Sequence, residues 1–145
     1  MKSTATLTRA FWILIPLALL MLSGGGGPAQ AKHDSCDLGS LRGSYAYTVT
    51  GTNLAVGPVA AVGRVTADGN GNLSGTDTLS AAGTILRRTI TGSYTITPAC
   101  TGIVTFTDNF GQTVHLDFVA TGRGEELQFI QTDAGTVFTG LAKQQ

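Results

Sequence analysis

The sequence predicts an all-β protein, a single antiparallel up-and-down β-barrel of eight to nine short strands, with a β-sandwich as the alternative. Three observations carry that expectation. From residue 44 onward, short runs alternate apolar with small or hydroxylated residues, the two-residue period of a strand with one buried face. Each run ends at a Gly- or Asn-containing turn, and no stretch after the leader shows the period of an amphipathic helix. Nearly all connections are short hairpins, which favours the barrel over the long crossovers of a Greek-key sandwich.

The elements follow in chain order. Residues 1–31 read as a secretory signal peptide: Lys2 and Arg9 supply a positive start, 10–22 an apolar core, and Ala29-Gln30-Ala31 a small-residue cleavage site. An uncleaved anchor is the weaker alternative, because the apolar run is too short to span a bilayer and leads into Gly, Pro and Ala. Cys36 follows His33-Asp34-Ser35, which does not suit a lipid-attachment site. The expected product is an exported protein, periplasmic or extracellular, with no stable membrane insertion once the leader is gone.

The remaining chain of about 114 residues has the size of one domain. Its expected divisions are a strap at 32–43, the barrel at 44–142 and a tail at 143–145. Trp12, Met1 and Met21 belong to the leader, so the core is built from Val, Ile, Leu, Phe, Tyr and Ala. Beyond the leader, seven of the nine basic residues face nine acidic ones, and only Arg87 and Arg88 are adjacent. Phosphate neutralisation needs a clustered basic surface, so nucleic acid is not an expected partner. Two cysteines remain, Cys36 and Cys100, and in an exported protein such a pair is expected to form a disulfide that pins the strap to the barrel wall.

In 44–50 the residues Tyr45, Tyr47 and Val49 share one face, marking the first strand, with a loop at 51–54. Runs 59–67 and 72–80 flank the Asp68-Gly69-Asn70-Gly71 turn and read as a hairpin. Its register is set by hydrophobic pattern: with Leu73 opposite Ala67, the residues Val59, Ala61, Val65, Leu73 and Leu79 share a face, together with Gly63 and Gly75. Ala81-Ala82-Gly83 is read as a three-residue turn, which pairs Ser80 with Thr84 and sets Asp77 opposite Arg87, on the same face as Ile85. Strands follow at 92–97, ended by Pro98, and then at 102–107, 113–120, 126–132 and 136–142. Gly43-Ser44-Tyr45 is echoed by Gly92-Ser93-Tyr94, and Gly63-Arg64-Val65-Thr66 by Gly102-Ile103-Val104-Thr105, as two copies of a four-strand unit would require.

The Gly43-x-Tyr45 strand after the leader, the chain of hairpins, the length and the single disulfide resemble the calycin class of small barrels, which includes the lipocalins and their bacterial relatives. Gly43 and Tyr45 stand where lipocalins carry Gly-x-Trp. The chain is also similar to secreted bacterial proteins with G-x-Y and DGxGxLxG motifs. The resemblance implies a ligand cavity; no cofactor is expected from the residues.

Candidate chemistry is sparse. The segment from Asp68 begins like a calcium loop but has Leu73 and Leu79 where such a loop needs Gly and Glu, so it reads as a tight turn and no metal is expected. His115 and Asp117 share the face opposite Val114, Leu116 and Phe118, where solvent-facing strand residues are expected. Tyr45, Tyr47 and Tyr94 fit core-facing positions better than an exposed sugar platform. The candidate ligand-binding residues are therefore Tyr45, Tyr47, Asp77 and Arg87. The favoured function is a non-enzymatic barrel that binds a small, largely apolar molecule. The alternatives are a filled structural or surface interaction module, and a lyase, cyclase or isomerase that uses Asp77, Arg87 and His115 in a barrel cavity.

Overall fold

The computed structural model describes residues 35–145; the expected signal peptide and cleavage site lie outside the described residues. Eight antiparallel strands follow one another around a closed barrel: β1 (Arg42–Asn53), β2 (Gly57–Asp68), β3 (Asn72–Ala81), β4 (Thr84–Ile96), β5 (Thr101–Asp108), β6 (Thr113–Thr121), β7 (Glu126–Gln131) and β8 (Thr136–Gln144). The sheet closes where β1 pairs with β8, from Tyr45 opposite Gln144 to Asn53 opposite Thr136. The up-and-down barrel is therefore the architecture, and closure removes the unpaired strand edges that an open sheet would expose.

The hairpin register read from the hydrophobic pattern is present, with Leu73 opposite Ala67 and Leu79 opposite Ala61. The next hairpin corrects the sequence reading by one residue. Ala81, not Ser80, pairs with Thr84, so the turn is the two residues Ala82 and Gly83, and Asp77 faces Arg88 while Arg87 faces Thr78. The cause is local: Ala82 and Gly83 both take positive φ, 46° and 89°, the backbone of a two-residue hairpin turn whose twist matches the flanking strands. A one-residue slip moves every side chain of β4 to the other face. Ile85 and Arg87 accordingly lie outside, exposed, while Leu86, Arg88 and Ile90 turn inward. The loop expected at 51–54 is also shorter, because β1 continues to Asn53.

One end of the barrel, here the lower end, is sealed. The chain enters through a short 3-10 turn, Leu38–Ser40, capped by Asp37, whose side chain accepts from the Ser40 amide at 3.0 Å. The Cys36–Cys100 disulfide ties this strap to the start of β5, joining residues 64 apart in the chain. Leu41 is 3 % exposed and plugs the barrel against Tyr45, Ala67, Tyr94, Phe118, Ala120 and Ala142. The echoed tyrosines have the same task here. Tyr94 donates to the carbonyls of Leu38 and Leu41 at 3.0 and 2.9 Å, and Tyr45 donates to the carbonyl of Gly124 at 2.7 Å. Gly124 suits that contact, since a Cβ there would lie 2.2 Å from the Ser40 carbonyl oxygen and its φ is +99°.

Candidate functional site

Above the plug the packing changes. Inward-facing Val49, Leu79, Phe106, Val114 and Phe138 are only half-buried, because they line a cavity of about 480 Å³ inside the barrel. Its floor reaches Tyr45 and Tyr94, and its rim is formed by Asn53, Val56, Gln112 and Ala134. That volume lies within the range of small-molecule sites, and an eight-stranded barrel is the size that either fills itself with side chains or holds one small ligand. A larger open hollow, about 940 Å³, runs along the outer wall beside Thr48, Thr95 and Gln128. That hollow is the more open of the two, so the inner cavity is the better candidate site.

One polar cluster stands on the cavity wall. Across neighbouring strands, Tyr47, Gly63, Asp77 and Arg88 form a single row. Gly63 makes the row work: a Cβ there would lie 2.5 Å from Asp77 Cβ and 2.8 Å from Tyr47 Cε1, so only its absence lets the Tyr47 hydroxyl cross to Asp77 Oδ2 at 2.7 Å. Arg88 grips Asp77 with two donors, Nε to Oδ1 at 2.9 Å and Nη2 to Oδ2 at 2.5 Å. Its Nη1 donates to Asp108 Oδ2 at 3.3 Å. Asp108 in turn accepts the amides of Phe110 and Gln112 on Oδ1, at 2.9 and 3.0 Å, which holds the β5–β6 turn. Asp77 and Asp108 are both buried, at 6 % and 7 % exposed, and a buried charge needs this degree of pairing.

Titration follows from these contacts. Burial pushes the Tyr47 hydroxyl up, and the hydrogen bond and charge of Asp77 push it further, so Tyr47 stays a neutral donor. Burial also raises Tyr45, to about 12, with a smaller contribution from Tyr94. Burial works against the Arg88 charge, but the hydrogen bond and charge of Asp77, with Tyr47 and Asp108 behind them, prevail and raise it.

Of the four residues singled out in the sequence, Tyr45 and Tyr47 line the cavity and Asp77 sits behind its wall. Arg87 does not belong to the group, since it points outward, and Arg88 takes its place. His115 is likewise on the outer face, where its Nδ1 meets Asp133 Oδ1 at 2.7 Å rather than Asp117. Burial would raise Asp133, but the His115 amide and ring and the Gln131 side chain hold it below the usual carboxylate range. The three polar groups required for cavity catalysis are therefore not assembled. Asp108 was legible only as a turn residue, although continuing the alternation from Val104 and Phe106 would have placed it on the inner face. The Asp68 carboxylate is spent within its own turn, accepting the Asn70 and Asn72 amides at 2.7 and 3.0 Å and the Asn72 side chain at 2.7 Å.

No family model matches the sequence, and no curated protein matches it. Solved structures do. A de novo designed fluorescence-activating β-barrel is similar with a TM-score of 0.58 at 9 % identity, over 75 % of this chain and 98 % of that one. A redesigned β-barrel bound to DFHBI gives 0.58 at 14 % identity, over 76 % of this chain and 100 % of that one. A further redesigned β-barrel gives 0.56 at 19 % identity, over 76 % and 96 % of the two chains. At such identities the likeness establishes the small-barrel fold alone.

Proposed function

We propose that this protein is an exported, non-enzymatic barrel that binds a small, largely apolar molecule in the upper half of its interior. The observation that carries the reading is the division of one closed barrel into a packed end and a hollow end, with apolar and aromatic walls around about 480 Å³. A designed barrel of the same fold holds the small molecule DFHBI, which supports the capacity of such an interior for a ligand. Export fits the leader at 1–31 and the disulfide, a bond that persists in oxidising compartments. The inward residues are largely apolar and the outward ones rich in Thr, the reverse of a barrel that faces lipid. No helix among the described residues is long and apolar enough to cross a membrane.

The test is titration of the mature protein with the neutral dye Nile red, alongside native mass spectrometry of protein purified from its own source. Saturable one-to-one uptake that is lost in a cavity-filling Val49→Trp variant is the expected result. Absence of both dye uptake and any co-purifying small molecule would overturn the carrier reading. The exposed aliphatic residues Ile103, Val119 and Ile130 on the outer wall, 53 %, 51 % and 48 % exposed, favour a surface interaction module as the second reading.

A further inference from the structure

The cation on the cavity wall suggests a site for an anionic ligand such as a fatty acid, but its surroundings point the other way. Among the described residues, Arg88 is the only Lys or Arg that lines the cavity. Its charge is already met by two buried carboxylates, Asp77 and Asp108, so the cluster as a whole carries one excess negative charge. The other ionisable group on the lining among the described residues, apart from tyrosines, is Asp133 near the mouth, an acid that His115 meets from the outer face. The rim groups Asn53, Gln112, Thr113 and Thr136 are neutral. An entering carboxylate would lose its hydration in a low-dielectric pocket and meet a net negative wall.

The same guanidinium is not exhausted as a hydrogen-bond donor. It has five N–H groups, and three are directed at Asp77 and Asp108. One N–H on each terminal nitrogen is not engaged by these carboxylates, and Arg88 lines the cavity. Tyr47 offers no competing donor, since its hydroxyl proton is committed to Asp77.

We infer that the cavity selects neutral ligands with an apolar body and a hydrogen-bond acceptor, such as an ester or ketone oxygen, placed against Arg88, and that it discriminates against carboxylates. Arg88 is the specificity-determining residue, and Asp77 and Asp108 set its character by removing its net charge while leaving donors in place. This inference rests on the carrier reading above and refines it.

The experiment is displacement of Nile red from the mature protein by two ligands of equal carbon number, methyl nonanoate and the decanoate anion, each kept below the concentration at which it aggregates. The ester is expected to displace the dye at a concentration at least tenfold lower. In Asp108→Asn the amide oxygen still accepts the two turn amides while the charge is lost, and the gap between ester and anion is expected to narrow severalfold. Decanoate displacing as well as the ester, or neither competing with a dye that does bind, would overturn the inference and leave the carrier reading standing. An unchanged gap in a folded Asp108→Asn variant would overturn the charge argument. Failure of Nile red to bind at all would remove the carrier reading and the inference together.

Discussion

The two ends of the barrel are built from the same strands with the same inward-outward alternation, yet one is solid and the other hollow. At the lower end, Tyr45, Tyr94 and Phe118 are large enough to meet across the interior, and the strap adds Leu41 as a plug. The Tyr45 and Tyr94 hydroxyls donate to backbone carbonyls of the β6–β7 turn and of the strap, so the polar ends of these rings are satisfied where they emerge. At the upper end, Val49, Val59, Ala61, Leu79 and Ala81 line the wall around the cavity, and no described segment crosses the mouth to fill it. The buried polar association there is the Asp77–Arg88–Asp108 cluster with Tyr47. The lower end thus uses its large side chains for stability. The upper end leaves a space between its side chains, Phe106 and Phe138 among them, and keeps a fixed polar feature on its wall.

Three measurements break or sharpen that contrast, in falling order of effect. Replacing Cys36 and Cys100 by Ser releases the plug, and by the chain-entropy model for a 64-residue separation the cost is about 4 kcal/mol. Urea titration of the oxidised protein and the double variant reads it directly; a difference below about 1 kcal/mol would mean the strap is held by Leu41 and the tyrosines alone. Next, Asp77→Leu leaves Arg88 with Asp108 as its one carboxylate partner, and loss of one member of a buried pair costs about 3 kcal/mol. The triple variant Asp77→Leu, Arg88→Met and Asp108→Asn, which leaves no buried charge unpaired, is expected to recover most of that stability while losing the ester preference. If the single and triple variants melt alike, the cluster is not an electrostatic unit. The smallest effect is alkaline. Tyr45 titrates near 12 when folded, against an ordinary value near 10. The unfolded chain therefore releases this proton first, and the stability Tyr45 contributes is complete below pH ~10 and is lost as pH rises through ~12. The slope is at most about 1.4 kcal/mol per pH unit for one tyrosine, and Tyr45→Phe should flatten it. An unchanged alkaline slope in that variant would show that the lower end opens before its tyrosines ionise.

The barrel itself was legible because its causes are local and repeat along the chain. Alternation marks which side chains face inward, and Gly69, Gly71 and Gly111, all at positive φ, mark where the chain reverses. The register of β2 and β3 could be read because a slip would divide the apolar set. The register of β3 and β4 could not be read the same way, because a three-residue turn also left an apolar residue, Ile85, on the supposed inner face. There the turn decided the pairing, and the left-handed backbone of Ala82 transferred the role assigned to Arg87 to its neighbour Arg88.

By itself, the sequence determined an all-β chain, the inner face of most strands, the Cys36–Cys100 pairing, and the choice of Asp77 and Tyr47 as inward polar groups. Each of these depends on neighbours along the chain or on residue type. Only the tertiary structure decided that Asp108, 31 residues beyond Asp77, shares one arginine with it, that the echoed tyrosines seal the lower end, and that the space above them stays open. Those properties depend on how far side chains reach across a closed ring of eight strands, a distance set by closure and by no local pattern.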